Sequence, residues 1–167
     1  MLKAGSIGVG KMGLSHCALL NAQPDVDLVG VCDKSKFLTW VLSKYGNHRC
    51  FDDHKKMIDT LDLDLVIVAT PTKFHYHIVK YALEHGVHVF CEKPFCLNSR
   101  ESHELVDLAE SSGLVNQVGY HNRFLGSFVE AKRLLEEGVI GDITHFLAEA
   151  YGPVVLKKEA STWRSSA

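Results

Sequence analysis

Three short runs in this 167-residue sequence hold residue types that do chemistry only in company. Gly8-Val9-Gly10-Lys11-Met12-Gly13 spaces its glycines as G-x-G-x-x-G, Asp33 follows twenty residues after Gly13, and Glu92-Lys93-Pro94 closes the apolar run Val87 to Cys91. In a glycine loop of this spacing, Gly8 makes a tight turn, Gly10 lets a pyrophosphate approach the backbone, and Gly13 lets a helix pack on the preceding strand. The unpaired N–H groups of that helix would then face the phosphates. A carboxylate at Asp33 can accept both hydroxyls of an adenosine ribose. It would repel a 2′-phosphate, so the expected cofactor is NAD, while Lys34 and Lys36 leave NADP open.

Two further segments point at the same crevice. Ala69-Thr70-Pro71 ends one apolar run, with His75 four residues later at the head of a helix, and Glu92-Lys93-Pro94 ends the next. Pro94 cannot donate to a ladder, and Glu92 and Lys93 are costly to bury without partners, so the strand must stop there. At the carboxyl ends of parallel strands such residues are delivered to a ligand. A metal site is not expected: His75, His77, His85 and His88 lie close in sequence, but no carboxylate or cysteine spacing completes a set of ligands.

The elements that must position these residues alternate as a parallel sheet with crossover helices requires. Strands are predicted at 3–9, 26–32, 64–69, 87–91 and 115–119, and helices at 11–22, 37–45, 53–60, 75–85 and 99–111. The run Leu65 to Ala69 is wholly apolar and suits a central strand covered on both faces. Asn98 caps the last of these helices, with Glu101 at its third position, Leu105, Leu108 and Ala109 on one stripe and Gly113 past its end. Met12 and Met57 read as helix-face packing. Beyond residue 120 the pattern changes to a helix at 127–137, a turn over Gly138 to Asp142 and a strand at 143–151.

Composition narrows the class of function. The chain is 46% hydrophobic and 23% charged with a net charge of −2, which offers no footprint for nucleic acid and favours small-molecule chemistry. No charged-then-apolar leader opens it and no apolar run nears the roughly 18 residues that span a bilayer, so a cytoplasmic protein with no membrane partner is expected. The five cysteines, Cys17, Cys32, Cys50, Cys91 and Cys96, contain no CxxC pair and read as reduced thiols.

Taken in order, these motifs, with Gly119-Tyr120-His121-Asn122-Arg123-Phe124 and Gly138-Val139-Ile140-Gly141-Asp142-Ile143 after them, resemble the glucose–fructose oxidoreductase/inositol dehydrogenase (Gfo/Idh/MocA) family along essentially the whole chain. The resemblance implies a Rossmann doubly wound parallel sheet with helices on both faces over residues 1–120, then the start of a second α+β domain over 121–167. It implies hydride transfer between a nicotinamide cofactor and a secondary alcohol of a polyhydroxylated small molecule. In the family the lysine matched by Lys93 lies at the nicotinamide and contacts the substrate hydroxyl, and Glu92 would order the ribose and the lysine. A nearby nicotinamide cation and partial burial would favour the neutral amine that such a role needs.

His121, Asn122 and Arg123 are weaker candidates for substrate contact. Family members also carry an aspartate and a histidine four residues apart, in a second domain that often forms a homo-oligomer. No Asp-x-x-x-His occurs here. Only Phe146 to Tyr151 and Trp163-Arg164 trace that domain, so a longer protein is expected. The competing class is a non-catalytic dinucleotide-binding module or a redox-sensing subunit, which would share the glycine loop and differ at Lys93 and beyond Ala167.

Overall fold

β1 (Leu2–Ile7) stops two residues short of its sequence pattern because Gly8 turns the chain at φ +87°, a conformation glycine adopts without strain. The computed structural model describes residues 1–46 and 48–149. It divides the chain into two units, Met1–Tyr120 and His121–Ala167.

In the first unit β1 is followed by α1 (Lys11–Asn21), β2 (Val26–Cys32), α2 (Lys36–Tyr45), β3 (Arg49–Phe51) and α3 (His54–Thr60). Then come β4 (Leu65–Val68), α4 (His75–Glu84), β5 (His88–Cys91), α5 (Ser99–Ser111) and β6 (Asn116–Val118). All the pairings are parallel, in the order β3-β2-β1-β4-β5-β6. This is the Rossmann order, with the direction of winding reversing between β1 and β4. A ligand crevice opens at such a reversal, on the side of the strands' carboxyl ends.

Local chemistry explains where the helices begin. Ser35, Asp53 and Asn98 each cap a helix with a side-chain oxygen, and Asn98 accepts the N–H of Glu101 at 3.0 Å. Two apolar clusters hold the layers. One joins Met57, Ile78, Val79, Leu83 and Leu105 of α3, α4 and α5 to strand residues such as Val66 and Val68. The other joins Cys17 and Leu20 of α1 and Leu38 and Leu42 of α2 to Leu28 and Val31. Burial of each such side chain contributes about 1.5–3 kcal/mol.

The sequence pattern differs from the fold in four places. β3 was not expected; its three residues pair with Gly30, Val31 and Cys32 at the sheet edge, too short a run to show alternation. Thr72–Phe74 forms a 3-10 turn ahead of α4. Met57 is fully buried as expected, whereas Met12, in the first turn of α1, is half-exposed. In the second unit, α6 (Gly126–Glu136) follows a 3-10 turn over His121–Phe124, yet residues 143–149 form no strand. A strand exists as a hydrogen-bonded ladder, and no described segment pairs with these residues. Residues 150 and 151 of that expected strand, and Trp163-Arg164, lie outside the described residues. Among the described residues, no helix is long and apolar enough to cross a membrane.

Candidate active site

The glycine loop fits the ends of β1 and β4 by close backbone contact. A Cβ on Gly8 would stand 2.8 Å from the carbonyl of Ala69, and one on Gly13 would stand 1.8 Å from the carbonyl oxygen of Gly8. At Gly10 a Cβ would meet nothing within 4 Å. Gly10 is the N-cap of α1 with no side-chain cap, and the first turn holds no acidic residue. The helix therefore presents free N–H groups to open space, with Lys11 and Met12 exposed beside them, an arrangement that suits an anion.

Asp33 stands just past β2, and its two oxygens divide their work. Oδ2 accepts the N–H of Val9 at 2.8 Å and Oδ1 that of Ser35 at 2.8 Å. Each oxygen keeps a lone pair for a ribose hydroxyl. Lys34 is largely exposed, its Nζ 4.0 Å from Asp53 Oδ2.

Beyond β4, Thr70 keeps a buried hydroxyl with no hydrogen-bond partner, and Pro71 is exposed at the start of the next turn. His75 is 1% exposed, and its ring lies between two loops. Nε2 is 2.7 Å from the carbonyl oxygen of Thr70, while Nδ1 is 3.0 Å from that of Pro94 and 3.2 Å from that of Phe95. Carbonyl oxygens only accept and a neutral imidazole has one N–H, so His75 donates to one of these loops and packs against the other. Both ring nitrogens thus lie within hydrogen-bond distance of backbone carbonyls.

Glu92 and Lys93 leave β5 at the same end of the sheet, and the Lys93–Pro94 peptide is cis. Glu92 is largely buried, with Oε2 accepting the N–H of Lys93 at 3.2 Å. Lys93 is exposed in this unit, which does not supply the burial expected for it, and no ion pair among the described residues engages its ammonium. One residue at the site carries no expectation from the sequence: His16 on α1, whose Nε2 lies 2.8 Å from Glu92 Oε1. Its position three residues after Gly13, on the helix that opens at the loop, was the available signal.

His121, Asn122 and Arg123 are exposed on the 3-10 turn of the second unit, with no side-chain hydrogen bond among the described residues. Among those residues no three His, Cys, Asp or Glu side chains gather closely enough to hold a metal ion. Burial pushes the Cys32 thiol up to about 12 and raises Cys91 further, so neither is a nucleophile.

Known proteins resemble this chain in sequence and fold. The model of the oxidoreductase family with an NAD-binding Rossmann fold, Gfo/Idh/MocA, matches residues 2–120. D-glucoside 3-dehydrogenase of Escherichia coli is 33% identical over 144 residues, covering 85% of this chain and 41% of that protein. The scyllo-inositol 2-dehydrogenase (NAD(+)) of Bacillus subtilis is 30% identical over 142 residues, covering 84% of this chain and 42% of its own length. The crystal structure of scyllo-inositol dehydrogenase from Lactobacillus casei with bound NAD(H) and scyllo-inositol superposes with a TM-score of 0.77 at 30% identity, over 86% of this chain and 43% of that one. The chain thus spans about two fifths of the length of these relatives. By the match from Leu2 to Tyr120, and by the glycine loop and sheet order that fall within it, the chain belongs to the Gfo/Idh/MocA oxidoreductases.

Proposed function

We propose that this chain is the cofactor-binding part of an NAD-dependent dehydrogenase acting on a secondary alcohol of a sugar, cyclitol or sugar derivative. The observation that carries the reading is Lys93: a lysine free of any carboxylate among the described residues, at the carboxyl end of β5, beside the cradle built at the ends of β1, β2 and β4. The names of the relatives, a glucoside dehydrogenase and inositol dehydrogenases, supply the substrate class.

The residues present fit a dinucleotide. Gly8, Gly10, Lys11, Met12 and Gly13 would hold the pyrophosphate, and Asp33 would hold the adenosine ribose. Thr70 and Pro71 would border the crevice, where His75 fixes their loop and Glu92 fixes Lys93. When bound, the nicotinamide supplies the hydride acceptor at its C4. Lys93 would polarise the substrate hydroxyl or take its proton as the carbinol carbon gives up hydride, and would act in reverse when the ketone is reduced. Under this reading the histidine of the family's aspartate–histidine pair, absent from these 167 residues, is the partner of Lys93 and the usual proton acceptor.

The test is Lys93→Met in the complete protein, assayed for NADH formation on a panel of sugars and cyclitols. Loss of a positioned acid–base group lowers kcat about 10²–10⁴-fold while NADH binding stays unchanged. Wild-type turnover in Lys93→Ala would refute the assignment.

A further inference from the structure

The helix that opens the cradle also reaches the loop that carries Lys93. Within α1, His16 stands five residues after Lys11 and its Nε2–H donates to Glu92 Oε1 at 2.8 Å. The two side chains are only 14% and 13% exposed, so this contact is sheltered from water. Phe90, two residues before Glu92 and therefore on the same face of β5, meets the His16 ring edge-on at 5.2 Å with the planes at 61°. Gly119 also borders this pair: a Cβ there would stand 3.3 Å from Phe90 and 3.4 Å from Glu92 Oε1.

The Glu92 carboxylate is thus enclosed between α1 and the end of β6, and it is planar. One oxygen accepts from His16 and the other from the backbone N–H of Lys93.

We propose that His16 is a positioning residue: through Glu92 it ties Lys93 to the cradle helix, so that occupation of the cradle by the dinucleotide fixes the loop that carries the lysine. The inference rests on the role given to Lys93 above. A histidine that merely filled space between α1 and β5 would act on stability alone, and any side chain of similar bulk would replace it.

Glutamine and asparagine separate the two roles, because both are polar amides but only glutamine extends far enough to donate where Nε2 does. In the complete protein, amide exchange at Lys93 is followed with and without NADH, whose affinity is measured by fluorescence. In the wild type and in His16→Gln, NADH slows exchange at Lys93 by about tenfold or more. In His16→Asn, NADH binds within about threefold of wild type, yet exchange at Lys93 stays within about twofold of the unliganded rate. In the complete protein His16→Asn lowers kcat about tenfold or more with little change in the KM for NAD, and His16→Gln recovers most of it.

Equal protection of Lys93 in His16→Asn and wild type would overturn the coupling. So would a parallel loss of melting temperature and NADH affinity in both amide variants, the signature of a structural pin. If the exchange pattern holds while the wild-type complete protein oxidises no polyol, the coupling stands and the hydride-transfer reading falls by itself.

Discussion

Replacing Gly10 by alanine adds a methyl group at a cradle position where the Cβ meets no protein atom within 4 Å. The backbone there has φ −66°, which alanine adopts freely, so the fold should be indifferent to the change. A dinucleotide would not be, because the methyl occupies the space through which the pyrophosphate approaches the first turn of α1. Overpacking of this kind costs about 1–3 kcal/mol, a loss of roughly ten- to hundredfold in affinity.

Gly13→Ala is the control with the opposite signature. Its Cβ would start 1.8 Å from the Gly8 carbonyl oxygen, so α1 must back away until the gap exceeds 3.0 Å. That movement should cost about 3 kcal/mol, the upper part of the overpacking range, and lower the melting temperature by about 10 °C. NADH fluorescence titration with calorimetry of the unliganded chain reads both variants. Wild-type affinity in Gly10→Ala would refute the placement of the pyrophosphate at the α1 terminus. An unliganded melting point several degrees below wild type in the same variant would refute the claim that Gly10 serves the ligand alone.

Two further outcomes concern stability. His75→Ala removes a buried ring, and its one N–H donor, from between the carbonyls of Thr70, Pro94 and Phe95; it should cost about 3 kcal/mol in urea unfolding, and a cost under about 1 kcal/mol would refute the fastening role. At Asp53 the backbone N–H of Lys56, then that of Lys55, hold the carboxyl below its ordinary range, so its contribution is present above the unfolded pKa and is lost as pH falls through the folded one. Wild type should exceed Asp53→Ala by about 1 kcal/mol at pH 7, with the gap closing as pH drops below about 4; a gap independent of pH would refute the charged cap.

The parts of the fold that could be read from sequence are those in which a local rule and a long-range demand agree. The glycine loop, Asp33 and the cap at Asn98 are legible because each residue type answers a backbone need within a few positions. β3 was not legible, because three residues show no period and their pairing is decided by Gly30 to Cys32, far along the chain. Residues 143–149 of the expected strand form none for the converse reason: their alternation is local, while a strand needs a partner. At the site, the type and place of Lys93 were legible, but its exposure and the bond between His16 and Glu92 were not. Those depend on which face of α1 meets which face of β5.

The bonds at Asp33 bear on how fast the cradle fills. By accepting the N–H of Val9 and that of Ser35, its carboxylate sets the glycine loop and the entry to α2 as one piece within the protein alone. Ordering a residue costs about 1–2 kcal/mol of backbone entropy, and here that cost is incurred when the chain folds. The dinucleotide therefore meets a finished mould, and capture depends on collision and orientation more than on rearrangement of the loop.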